Sequence, residues 1–338
     1  MKKLLLVLLT LAALSALCVP ALAAEEAKDA AAKTQDKGPA IEEKAPAFVR
    51  VWGKVSPWDG EGIYLKNDSG DGSLDQVVVH VGEKTPAVDA STGLPMDLEK
   101  VKEGDTLYVW ASPMMALSMP PQVNALAVVG NVPADAAAPE FCEIAGLPTL
   151  APGSSIDGKD AAFPLAGGGT LEVTEETAYS PWRTKQIVGM NDLLPGSRAL
   201  VWKGKDGAAE KVLVFPYGYR GYMTAGAMPH GDKLVCVFAA EEIQELPYKT
   251  MEGGVLLAPI RTVAEAAGYS VSWDKNRGAV VYDENTEAVF YVWPGDDVLW
   301  TAELGEMTLS APCLKENGTT YLPIGDLCHW LNLYLAQG

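Results

Sequence analysis

Histidine is nearly missing from this 338-residue chain, which has only His80, His230 and His329. They fall in three separate segments with no H-x-H pair. A three-histidine metal centre would therefore need distant elements to meet, and each residue reads more simply as a surface or satisfied histidine. Basic residues are also scarce: 26 Lys and Arg stand against 44 Asp and Glu, for a formal net charge of -18. So acidic a chain, with no basic stripe, repels phosphate backbones and excludes nucleic acid as the expected partner. After residue 17 no apolar run is long enough to span a bilayer, so no transmembrane helix is expected beyond the first segment. No phosphate-cradling glycine loop, nucleophile elbow or C-x-x-C pair occurs. Together these absences favour a non-enzymatic protein with no cofactor.

The first segment carries a signal of its own. Lys2 and Lys3 precede an apolar run from Leu4 to Leu17, and Ala21-Leu22-Ala23 supplies a small-x-small cleavage pattern. Residues 1–23 therefore read as an export signal, and the protein as secreted or cell-surface associated. A lipoprotein signal using Cys18 is the weaker reading, because Leu17 stands where a small residue is needed. Cleavage removes two lysines and no acids, leaving a still more acidic chain. Residues 24–46, rich in Ala, Glu, Lys and Asp, have little to bury and read as a disordered spacer. The four remaining cysteines, Cys142, Cys236, Cys313 and Cys328, read as buried or free thiols. A 313–328 bridge is the alternative that their spacing leaves open.

From Phe48 the chain changes to short Val-, Tyr- and Trp-rich runs separated by turn clusters, the pattern of a small β barrel or sandwich. Val49 to Trp52, Ile63 to Leu65, Val77 to Val81 and Leu107 to Trp110 read as strands. Landmarks then recur. F-x-x-x-x-G begins at Phe48 and at Phe141. Asp97-Leu98 and Asp192-Leu193 precede Gly104 and Gly196, each followed six residues on by Trp110 and Trp202. The offsets of 92 to 95 residues predict two copies of one all-β, barrel-like domain, at 47–133 and 139–217, with a connector at 218–231.

Residues 232–338 read differently. Pro259 opens a helix whose Ile260, Val263, Ala264 and Ala267 form one apolar face, and Gly268 ends it. The unit returns 64 residues on, where Ile324, Leu327, Cys328 and Leu331 follow Pro323. The expectation is an α+β domain built from a duplicated strand–Pro–helix unit, its helices packed on a sheet. The stretch G-G-V-L-L-A-P-I-R-T-V-A-E-A-A-G-Y-S-V-S-W-D (Gly253 to Asp274), with N-G-T-T-Y-L-P-I (Asn317 to Ile324), resembles the copper amine oxidase N-terminal-like, or stalk, domain family. The resemblance covers about residues 232–336. It implies an accessory module for attachment or spacing and no copper chemistry. Gly325-Asp326 departs from the Arg-containing pair common there, so only Arg261 is left to carry an arginine role. The β repeats look like domains that accompany such stalks, notably through Pro113-Met114-Met115 to Pro120-Pro121-Gln122.

The other features each have a plain and a functional reading. Met114, Met115 and Met119 are a thioether set suited to Cu(I), or simply loop packing. Asn67 to Gly72 resembles a calcium loop but puts Val78 where the bidentate Glu belongs, so it reads as a hairpin turn. Ser272-Trp273-Asp274-Lys275 matches S-x-x-K but lies on a strand rather than at a helix start. Among nine tryptophans, Trp52, Trp110, Trp202 and Trp273 read as core. Trp58 and Trp182 lie beside prolines in expected turns, and Trp330 lies off the last helix's apolar face. These three are the candidate contacts for a glycan or partner. The whole reads as an envelope protein binding a cell-wall polymer or another envelope protein. A polysaccharide or cell-wall hydrolase and an exported metal-handling protein are the alternatives.

Overall fold

A computed structural model describes residues 47–70, 74–116, 118–150, 160–224, 233–238 and 243–336. They belong to one compact unit, Ala45–Gly338, and are mostly β. The signal and spacer segments and His230 lie outside the described residues.

The first module threads β1 (Val49–Val55), β2 (Ile63–Lys66), β3 (Gln76–His80), β4 (Ala87–Asp89), β5 (Thr106–Ala116) and β6 (Gln122–Gly130). Antiparallel pairings join β1 to β2, β2 to β3, β1 to β5 and β5 to β6. A parallel β3–β6 pairing closes the ring, and β4 lies parallel to the far end of β6. Strand side chains alternate between faces, so Val51, Leu65, Val77, Val79, Leu107 and Val109 fill the barrel.

The second module has β7 (Glu140–Glu143), β8 (Thr149–Leu150), β9 (Ala161–Pro164), β10 (Thr170–Val173), β11 (Ala178–Pro181), β12 (Arg198–Lys203) and β13 (Ala209–Val214). They form two sheets, β10-β9-β8 and β11-β13-β12-β7, around Ile144, Phe163, Leu171 and Val201. Some local details match the first module. Gly104 and Gly196 both have φ +88, and each N–H closes a turn on the opposite strand, at Val55 and Ile144 respectively. Phe48 and Phe141 do not match. These bonds align Val55 with Ile144, four residues short of the F-x-x-x-x-G spacing. The two rings instead meet edge to face at 5.0 Å.

That contact belongs to a core shared by the two modules. Val88, Trp110 and Val129 from the first pack with Phe141, Leu200 and Phe215 from the second. Trp202 donates its indole N–H to the Ala90 carbonyl at 3.2 Å.

The C-terminal part comprises β14 (Gly221–Thr224), β15 (Lys233–Phe238), β16 (Ile243–Pro247), β17 (Lys249–Thr250), β18 (Leu256–Pro259), α1 (Ile260–Ala266), β19 (Ser270–Asp274), β20 (Gly278–Tyr282), β21 (Ala288–Val292), β22 (Val298–Thr301), β23 (Gly305–Thr308), β24 (Leu314–Glu316), β25 (Thr319–Pro323), α2 (Ile324–Trp330) and β26 (Leu333–Ala336). The two strand–Pro–helix units pair with each other: Leu257 faces Pro323 and Pro259 faces Tyr321 across the antiparallel β18–β25 ladder. Both prolines end their strands as helix caps rather than occupying the first helical turn. The expected helix faces are buried, Ile260, Val263 and Ala264 in α1 and Ile324, Leu327 and Cys328 in α2. Gly268 takes φ +85 where α1 ends. Within the expected connector, Gly221–Thr224 form β14, which lies parallel to β26 and antiparallel to β15 in a four-stranded sheet.

Gly278 has φ +80, and a β-carbon there would run into the Val292 carbonyl on the neighbouring strand. Gly295 has φ +96 with open space around it. Gly295→Ala should therefore cost only the backbone strain, roughly 1–2 kcal/mol. Gly278→Ala should cost clearly more, and urea midpoints of the two variants check the order.

Candidate functional site

The three tryptophans marked from the sequence have different fates. Trp58 lies in the loop between β1 and β2, 38% exposed, its ring 5.2 Å from that of Tyr64. Trp182 is no surface contact. It continues from the end of β11, donates its backbone N–H to Val214 and is 8% exposed, packed edge to face on Phe215 in the shared core. The proline beside it ends a strand rather than forming a free turn, and the second module's strands carry it inward. Trp330 is half-buried against the C-terminal core, edge-on to His329.

The sequence left unmarked a surface on the C-terminal sheet. The five strands β19-β20-β21-β22-β23 form a sheet with one face on the helices and one facing outward. Across the outward face the register runs Ser272, Val280, Tyr291, Trp300 and Glu306. Trp300 is 39% exposed, and its ring lies parallel to Tyr291 with centroids 6.3 Å apart. The Arg277 guanidinium sits 5.5 Å from the Tyr291 centroid, a cation–π contact that steadies the ring. Trp273, expected in the core, stands at the rim of the inward face, 46% exposed, with Trp293 5.6 Å away and the Lys315 ammonium 3.7 Å over its ring. Strand alternation is the one sequence signal that sets Trp300 on the face opposite Leu299 and Thr301, and it went unread. Nothing in the sequence tells that Trp300 stays exposed on this face while Val280 on the same face is buried.

A cleft of about 940 Å³ opens where the two β modules meet the C-terminal part, with Phe141, Phe215, Tyr217 and Tyr219 among its walls. Arg198, one of its lining residues, donates from Nε to Glu143 Oε2 at 2.7 Å, outside the lining. Tyr217 donates its hydroxyl to the Pro195 carbonyl at 2.8 Å, and burial pushes its ionisation upward. Burial likewise raises Tyr334, with the Glu143 carboxylate adding to the effect. Two smaller clefts, near Asn131 and near Tyr222, are each about 440 Å³ or less. None of the three brings two carboxylates together: Glu83 lines the first, Asp105 the second, and the third has none.

The metal candidates come apart. Met114 is 80% and Met119 89% exposed, whereas Met115 pairs with Val123 and packs on the barrel core. Neighbours on a strand face opposite ways, so Met114 and Met115 do not converge on one ion. Among the described residues, no group of three His, Cys, Asp or Glu is placed to hold a metal. His80 is hydrogen-bonded to Gln122 at 2.7 Å. Residues 71–73 of the calcium-like loop lie outside the described residues. Arg261 is spent locally, on Glu265 at 2.9 Å and the Val271 carbonyl at 2.7 Å. Cys142, Cys313 and Cys328 are free and buried, so the 313–328 bridge does not form. The side chain of Cys236 lies outside the described residues. Among the described residues, no helix is long and apolar enough to cross a membrane.

With this geometry in place, the comparisons fall on the C-terminal part. Residues 240–333 match the family model of the copper amine oxidase N-terminal domain. In the oxidases that domain is a non-catalytic accessory. No curated protein matches the chain. The stretch similar to the copper amine oxidase N-terminal domain includes both helices and the whole five-stranded sheet. It begins after β14 and β15 and takes in only the first residue of β26.

Burial pushes the Cys142, Cys313 and Cys328 thiols up from 9.0 to about 12. At pH 8 the peptides carrying them should resist iodoacetamide until denaturant is added, as peptide mapping would show. The folded chain holds these protons where the unfolded chain releases them. The stability they confer is therefore complete below pH 9.0 and is lost as pH rises toward about 12. Urea midpoints should fall across that window, and Cys142→Ala should flatten part of the fall.

Proposed function

We propose that this chain is an exported, non-enzymatic binding protein of the cell envelope. It holds a wall polymer or an envelope protein on exposed aromatic side chains. The observation that carries this reading is the exposed Trp300 on the outward face of the β19–β23 sheet, beside half-buried Tyr291 and above buried Val280. Parallel Tyr291 and Trp300 rings lie there between Ser272 and Glu306, polar groups suited to sugar hydroxyls. Large exposed aromatics tend to mark interaction sites, and paired rings offer the flat apolar surface on which a sugar ring stacks.

Other features support the same reading. The leader has the charge, apolar run and cleavage pattern of an export signal. The net charge of -18 suits a soluble protein that avoids nucleic acid. The similarity to a non-catalytic accessory domain favours attachment over turnover. The two β modules read as copies of one unit, fused through their shared core into a firm base for the C-terminal face. The hydrolase alternative requires two acids facing one groove, and turnover lost on alanine substitution of such a pair would favour it.

Wild-type protein should sediment with purified cell wall. Tyr291→Ala with Trp300→Ala should cut the retained fraction roughly tenfold while leaving the melting temperature close to wild type. Equal retention of the double variant would remove this face from the proposal. No retention of wild type, with no partner captured by crosslinking, would remove the function.

A further inference from the structure

The loop between β1 and β2 holds Trp58 in a defined place at the surface. Its indole N–H donates to the Glu61 carbonyl at 3.3 Å, and its ring rests near Tyr64 on β2. The loop is pinned at its far end by Gly62, where φ is +96 and a β-carbon would come within 2.8 Å of the Val79 carbonyl on β3. The Tyr64 hydroxyl donates to Gln76 on β3 at 2.7 Å, and cross-strand Val78 is sealed beneath. The ring pair is thus held in position before any ligand arrives, which lowers the ordering cost of binding.

One residue pair further along the same outward face, Lys54 and Lys66 stand directly opposite each other across the β1–β2 ladder. Like charges so placed are destabilising. Neither lysine has an ion-pair partner among the described residues, although the chain carries 44 acids. Lys66 instead lies 5.5 Å from the Tyr64 centroid. Asp59 and Glu61 sit in the loop, at the opposite end of the aromatic pair. The face therefore runs from an acidic loop, through an aromatic platform, to two unneutralised ammonium groups.

We propose that this face of the first barrel binds an acidic glycan. One sugar ring stacks on the exposed Trp58 ring, which is tilted 38° to its neighbour Tyr64, and the acidic group of the same or the next residue lies between Lys54 and Lys66. Small five-stranded barrels bind oligosaccharides or oligonucleotides on the face of their second and third strands and at the loop between the first and second, which is where Trp58, Tyr64 and Gln76 lie. Two lysines suit one acidic group. A run of phosphates would need a longer basic track, and the chain's net charge opposes it. The site is separate from the Tyr291–Trp300 face.

Calorimetric titration with tetragalacturonate, cellotetraose and an oligothymidine tests the assignment. Tetragalacturonate should bind saturably and more weakly as salt is raised, and the other two should not bind. Trp58→Ala should weaken binding roughly tenfold and Trp58→Phe should largely restore it. Lys54→Gln with Lys66→Gln should weaken it similarly and remove the salt dependence. The same change should raise the melting temperature, because a like-charge pair is relieved, so lost binding is not lost folding. Trp300→Ala should leave tetragalacturonate binding intact, keeping this site distinct from the C-terminal face. The proposal is overturned if tetragalacturonate fails to bind, if cellotetraose or the oligothymidine binds as well, or if the lysine variant binds like wild type.

Discussion

The apolar contact between the two β modules sets the character of the molecule. Trp110, Trp182, Phe141 and Phe215 are large side chains buried in one cluster that draws residues from both modules, with Phe48 of the first set edge to face on Phe141 of the second. Full burial of such a side chain contributes roughly 2–3 kcal/mol. The modules therefore hold each other in a fixed relation, and loops that join beads in a flexible string are here part of a single core. The hydrogen bond from Trp202 to the Ala90 carbonyl and the reach of Lys211 to the Thr92 carbonyl at 3.3 Å sharpen that relation by direction as well as area.

This sharing decides which aromatics remain for contact with anything else. Side chains drawn into the shared core are lost to solvent. What is left lies at the two ends of the molecule's sequence: Trp58 on the first barrel, and Trp273, Trp293 and Trp300 on the C-terminal sheet. The rings left exposed are not loose. Each is steadied by a ring or a cation nearby, Tyr64 for Trp58, Lys315 for Trp273 and Tyr291 for Trp300.

Much of the C-terminal part was legible in the sequence because its signals are local. The spacing of Ile260, Val263 and Ala264, and its return at Ile324, Leu327 and Cys328, states a buried helix face without reference to the rest of the chain. Trp182 was misread because Pro181 suggests a turn, whereas the parallel ladder with β13 makes it a strand end. β14 was missed because its partner β26 lies more than a hundred residues away. Trp273 reads as core from the sequence because alternation says which residues share a face and stays silent on whether anything covers it. The repeat landmarks at Phe48 and Phe141 looked equivalent because spacing counts residues, while pairing counts hydrogen bonds.

The parallel pairing of Gly221–Thr224 with Leu333–Ala336 has a consequence for how the chain acquires its shape. During synthesis the earlier strand emerges long before the segment that completes its sheet. Until then one of its edges offers unpaired amide and carbonyl groups to any neighbouring chain. Closing so long a loop is slow compared with forming a hairpin. The assembly of the C-terminal part is thus timed by the arrival of four residues.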